Sequence, residues 1–120
     1  MKISKDFEFA AAHQLMLPYT SPCTRQHGHN YKLKVTVQGH INDAGMIMDF
    51  KELKAIVNEE IISILDHQDL TDFFSDESVR RVNATAEIMS TWIYKKLKPR
   101  LPNIDSVTLW ETTDSSAKYP

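Results

Sequence analysis

Residues 3–13 alternate between the two sides of an extended chain. Phe7, Phe9, Ala11 and His13 share one side, and Glu8, Ala10 and Ala12 share the other. A period of two predicts a half-buried strand. The same alternation runs from His27 to Gln38: His27, His29, Tyr31, Leu33, Val35 and Val37 face one way, and Asn30, Lys32, Lys34, Thr36 and Gln38 the other. That predicts a second strand with one wet face. Between them, residues 14–26 carry Pro18, Pro22, serine and threonine and read as a loop. QGHINDAG reads as a turn and MIMDF as a short extended piece. Asp49, with Glu52 three residues on, is a possible capping box for a helix. Leu53, Ile56, Val57, Ile61, Ile64 and Leu65 give that helix one buried stripe, and it ends near residues 65–67. After a loop with Phe73 and Phe74, Asn83 or Thr85 can cap a second helix. Its predicted apolar face is Ile88, Met89, Trp92, Ile93 and Leu97, and Pro99 stops it. A third strand is expected over 104–112 and a short fourth around Tyr119. The order β-β-α-α-β-β predicts an α+β fold, an antiparallel sheet with two helices on one face.

Composition narrows the class. The 120 residues are 42% hydrophobic and 25% charged, as in a globular chain, and are expected to form one domain over 1–120. The net charge of −2 and a scatter of basic residues, never more than two adjacent (Arg80–Arg81, Lys95–Lys96), give no footprint for nucleic acid. The single cysteine excludes an internal disulfide. No apolar run suggests a signal peptide or a membrane span, so a cytoplasmic protein is the expectation.

Candidate chemistry gathers at the strand ends. His27 and His29 are two apart and project from the same side as Leu33 and Val35; His13 ends the apolar row of the first strand. Paired as a hairpin, the two strands bring three imidazoles together, either as a metal site with a vacancy or as hydrogen-bonded rim residues. His40, in a polar turn, reads as surface. Cys23 lies in a proline-containing loop. It reads as an inert small residue, a fourth metal ligand, or a nucleophile or base activated by a neighbouring imidazole. Asp66–His67 offers a carboxylate to orient an imidazole, provided the helix has ended; otherwise the pair is a favourable charge at a helix C-terminus. Glu111 shares a face with Val107 and Leu109. A carboxylate there either accepts two parallel N–H groups from a guanidine-like edge or turns back to water or a lysine.

FEFAAAH, CTRQHGHNY, GMIMDFKELK, LDH, NATAE and WETT follow one another in the order that characterises the 6-pyruvoyl-tetrahydropterin synthase family, which the chain resembles over nearly its whole length. Within the family it looks most like the bacterial 6-carboxytetrahydropterin synthases of the queuosine pathway. The resemblance implies the tunnelling fold and a homohexamer, a dimer of trimers with active sites between subunits. It implies Zn2+ on His13, His27 and His29, a proton-transfer triad of Cys23, Asp66 and His67, and Glu111 as the anchor of the pterin ring. The implied substrate is 7,8-dihydroneopterin triphosphate, converted with loss of triphosphate and acetaldehyde. The pyruvoyl branch, which only eliminates triphosphate, and a non-catalytic zinc- or pterin-binding module are the alternatives. Arg25 is a candidate for the triphosphate. Ala84 stands where the family often has proline, and Thr113 and Lys118 replace residues of other kinds in the C-terminal segment.

Overall fold

The computed structural model describes residues 1–71, 73–74 and 83–120; Arg80–Arg81 lie outside them. Strands β1 (Lys2–His13) and β2 (His27–Gln38) form a long antiparallel hairpin. Both have twelve residues, and their apolar positions pair cross-strand: Phe7 with Leu33, Phe9 with Tyr31, Ala11 with His29, and His13 with His27 at the loop end. A one-residue slip would turn every one of these side chains to the wrong face, so the burial pattern pins the register.

Helix α1 (Phe50–Val57) is capped by Asp49, whose carboxylate accepts the Lys51 amide. The helix continues through a π-helical turn (Asn58–Ile62) and a closing turn (Ser63–Leu65). The wider turn keeps Val57, Ile61 and Leu65 on one buried line. MIMDF is irregular rather than extended; the Asn42 side chain accepts the Ala44 and Met46 amides and folds the segment back, with Gly45 at a φ of 80° completing the turn.

Helix α2 (Ala86–Leu97) is capped by Thr85, which accepts from the Ile88 amide. Asn83 is not the cap: it clasps the backbone of Met16 through both its amide groups. The buried face of α2 is Ala86, Met89, Ser90, Ile93 and Leu97; Ile88 is exposed, and Trp92 is half-buried against Phe73 and Phe74.

Strand β4 (Ile104–Trp110) ends two residues short of the expected Thr112, and β5 (Ser116–Tyr119) follows. A two-residue strand, β3 (Gln68–Asp69), runs parallel to β1 along its outer edge and was not foreseen. The sheet order is therefore β3-β1-β2-β4-β5, mixed rather than wholly antiparallel. Both helices pack on one face over Phe7, Phe9, Leu33, Val35, Val107 and Leu109, in a single core. The other face carries the polar alternates of the hairpin.

Candidate metal centre

The hairpin register places His13 opposite His27, two pairs beyond Ala11 and His29 and on the same face. All three side chains lie on the helix-covered face, and His13 is completely buried. His13 Nδ1 lies 2.8 Å from the Ala84 carbonyl oxygen, and His27 Nδ1 lies 2.7 Å from that of Arg25. A carbonyl only accepts, so both Nδ1 atoms carry the proton and donate it. In the neutral rings each Nε2 is then a bare lone pair. The two Nε2 atoms face each other at 2.9 Å, where lone pairs repel unless a cation lies between them. His29 Nε2 turns to the same point, is buried, and has no hydrogen-bond partner among the described residues. Burial holds the His29 imidazole below its ordinary value, opposed by the Glu111 carboxylate and reinforced by the other two imidazoles. The unprotonated, coordinating form is thereby favoured.

Glu111 completes the group. It sits just past the end of β4, and its Oε1 is 3.2 Å from His13 Nε2 and 3.2 Å from His29 Nε2. The contact with His29 is close but not directed as a hydrogen bond. The four ligand atoms lie within 4.8 Å of one another. Three imidazole nitrogens, those of His13 and His27 with backbone-fixed tautomers, and one carboxylate form a donor set that fits a divalent cation. Among the described residues, imidazoles rather than a lysine lie against the Glu111 carboxylate, which stays partly exposed to solvent. Cys23 is absent from this set among the described residues.

Cys23 lies in a short 3-10 turn (Pro22–Thr24) capped by Ser21, which accepts the Cys23 amide. The residue is half-buried and outside the core. Its loop is fastened at both ends. The Gln14 amide donates to Thr71 Oγ1 and the Gln14 side chain to the Thr24 carbonyl, while the Gln26 side chain donates to Asp69. Asp69 in turn accepts from the amide and hydroxyl of Thr71. Sequence reasoning missed this strap, because its partners lie more than forty positions apart.

The helix ends at Leu65, which allows Asp66 and His67 to pair. Asp66 is extended, and His67 adopts a φ of 60°, a conformation that non-glycine residues rarely take. Asp66 Oδ1 accepts the Ala10 amide at 2.9 Å, and Oδ2 lies 3.0 Å from His67 Nδ1, leaving Nε2 of a largely exposed ring to face outward. The Ala10 amide and the His67 ring hold the Asp66 carboxyl below its ordinary value of 3.8. A depressed carboxylate keeps its contacts above that value and loses them only as pH falls through its lower folded value. A carboxyl NMR titration is accordingly expected to show the Asp66 midpoint below 3.8. His67 and His29 both border an open hollow of about 440 Å3 floored by Ala10, Ala12, Gly28 and Asn30. Within the chain, and among the described residues, the Cys23 thiol makes no hydrogen bond to His67.

Arg25 is exposed, as are His40 and Lys118, and Thr113 lies in the bend after β4. No helix among the described residues is long and apolar enough to cross a membrane.

Comparison with known proteins assigns the family. The family model described as 6-pyruvoyl tetrahydropterin synthase matches residues 2–120. A 6-carboxy-5,6,7,8-tetrahydropterin synthase of Synechocystis sp. is 37% identical over 98% of this chain and 91% of its own. One from Haemophilus influenzae is 33% identical over 98% and 97%. The human 6-pyruvoyl tetrahydrobiopterin synthase is 32% identical over 98% and 90%. The solved structure of Caenorhabditis elegans 6-pyruvoyl tetrahydropterin synthase superposes with a TM-score of 0.83 at 25% identity, over 99% of this chain and 94% of that one. The mixed sheet with two helices on one face is thus the tunnelling fold, and the chain belongs to the 6-pyruvoyl tetrahydropterin synthase family.

Proposed function

We propose that this protein is a zinc-dependent lyase. It converts 7,8-dihydroneopterin triphosphate and water into 6-carboxy-5,6,7,8-tetrahydropterin, acetaldehyde and triphosphate, in the route to queuosine, in the cytoplasm. The observation that carries the metal dependence is the convergence of three imidazole nitrogens, two of them with opposed lone pairs, on one point. His13, His27 and His29 hold the ion. Bound there, zinc supplies Lewis acidity to side-chain oxygens of the substrate and acidifies the adjacent C–H. Cys23, as thiolate, takes a proton from carbon; Asp66 orients His67 through Nδ1, so that Nε2 is free to pass the proton on. Glu111 accepts the amino-pyrimidine edge of the ring through paired N–H bonds. Relatives named for the carboxy product favour this branch.

Two other readings remain in play. The relatives named 6-pyruvoyl tetrahydrobiopterin synthase favour elimination of triphosphate without side-chain cleavage. A non-catalytic metal- or pterin-binding module needs no thiol at all. Incubation with 7,8-dihydroneopterin triphosphate and mass analysis of the products separates the three. A carboxypterin with acetaldehyde supports the proposal, a pyruvoyl product supports the second reading, and unchanged substrate supports the third.

The absence of a Cys23–His67 hydrogen bond within one chain, among the described residues, supports active sites shared between subunits. In a homohexamer, a dimer of trimers, Cys23 of one subunit meets Asp66–His67 of the next. Cys23→Ala and His67→Ala chains, each inactive alone, are then expected to regain activity when refolded together. The rate should reach roughly a quarter of wild type, the share of interfaces at which random pairing unites two intact groups.

A further inference from the structure

The geometry points to a second task for Glu111: in the substrate-free protein its carboxylate is the fourth donor to the metal ion, and it yields that position when a guanidine-like ring edge draws it away. This rests on the metal-site reading above and deepens it, because it makes recognition of the ring the event that opens the ion.

The distances favour coordination over a simple ion pair. Ligands at about 2.0–2.1 Å from a tetrahedral ion lie roughly 3.3 Å from one another. Three of the six separations here are 2.9 Å between His13 and His27 and 3.2 Å from Glu111 to each of His13 and His29, and all four atoms lie within 4.8 Å of one another. A proton bridges two atoms along one line. His13 already spends its Nδ1 proton on Ala84, so one further proton on Nε2 would serve either His27 or Glu111 and leave His29 unsatisfied. A cation at the centre serves all four.

The carboxylate is also free to leave. Its backbone is fixed separately, by the Glu111 amide donating to the Ser115 carbonyl at 3.0 Å. Among the described residues its side chain lies against the imidazoles of His13 and His29 and acts electrostatically on the Tyr31 hydroxyl, and it remains 28% exposed. Both imidazole contacts are made by the same oxygen, Oε1. A planar edge with two parallel N–H groups needs both oxygens, which pulls Oε1 off the ion. Molecules with metal-binding oxygens but no such edge meet a closed site.

Cobalt makes the coordination visible. The apoprotein is loaded with Co2+, and its visible spectrum is compared with that of Glu111→Gln, with Zn2+ affinity of both measured by chelator competition. The expected results are a changed cobalt spectrum and about a tenfold or greater loss of Zn2+ affinity in the variant. Adding 2-aminopyrimidin-4-one, which carries the edge but no side-chain oxygens, should shift the wild-type spectrum and leave the variant's unchanged. Glu111→Ala, and the wild-type titration itself, guard against a misfolded variant. Identical spectra and affinities in wild type and variant would overturn the assignment of Glu111 while leaving the three-histidine site intact. A ring probe that binds without shifting the wild-type spectrum would overturn its displacement. Failure of the wild type to take up cobalt or zinc would overturn the metal site as well.

Discussion

Cys23→Ala is expected to lower turnover of 7,8-dihydroneopterin triphosphate by about 10³-fold, within the range that a positioned general base contributes. Zinc content, measured by atomic emission on the same preparation, should not change, because the thiol is not among the four converging donors. The fold should not change either. The side chain lies outside the core, and the turn is held by Ser21 and by the backbone contact of Leu15 with Cys23, none of which involves sulfur. Loss of rate with metal retained places the thiol in the chemistry. An unchanged rate would leave the module reading, and simultaneous loss of zinc would mean that the sulfur reaches the ion.

The second large effect is on the metal. His27→Ala removes one of two lone pairs facing each other at 2.9 Å, and with it a ligand whose tautomer the Arg25 carbonyl fixes. Metal affinity is expected to fall by 100-fold or more, beyond the roughly 10- to 100-fold that loss of a supporting contact costs. Activity should fall with it at any practical zinc concentration. The variant should remain folded, because His27 is the last residue of the hairpin pairing and lies beyond the Ala11–His29 pair. Removing the metal from the wild type with a chelator is different. It leaves the His13 and His27 lone pairs opposed inside the fold, so the melting temperature should drop in the apoprotein and recover on adding zinc. Retained zinc affinity in His27→Ala would contradict the three-histidine site.

The hairpin was legible because its signal is local. Twelve-residue alternation in β1 and β2 shows which face is buried, and a hairpin then carries His13 to His27 without further information. The helices were legible for a similar reason, although Ile88, placed on the buried stripe of α2, is exposed; the sheet lies under Met89, Ile93 and Leu97 instead. What the sequence concealed depends on long-range pairing. Strand β3 has two residues, too few for any period, and exists because the edge of β1 offers Ala10 and Ala12 carbonyls to the His67 and Leu70 amides. Glu111 was read on the correct face but without its partner. The β2–β4 register sets Lys32 beside Trp110, so continuing it by one residue brings Glu111 level with Tyr31 and towards His29. Strand order between β2 and β4, which local pattern does not encode, was the missing step. Likewise Asn83 carries the residue type of a cap, but the loop at Met16 takes both of its amide groups.

X-ray absorption at the zinc edge of the loaded wild-type protein, without substrate, tests the central claim most directly. Three imidazole nitrogens at about 2.0–2.1 Å with one oxygen are expected, and no sulfur. A sulfur scatterer near 2.3 Å, or fewer than three imidazoles around the ion, would contradict the account.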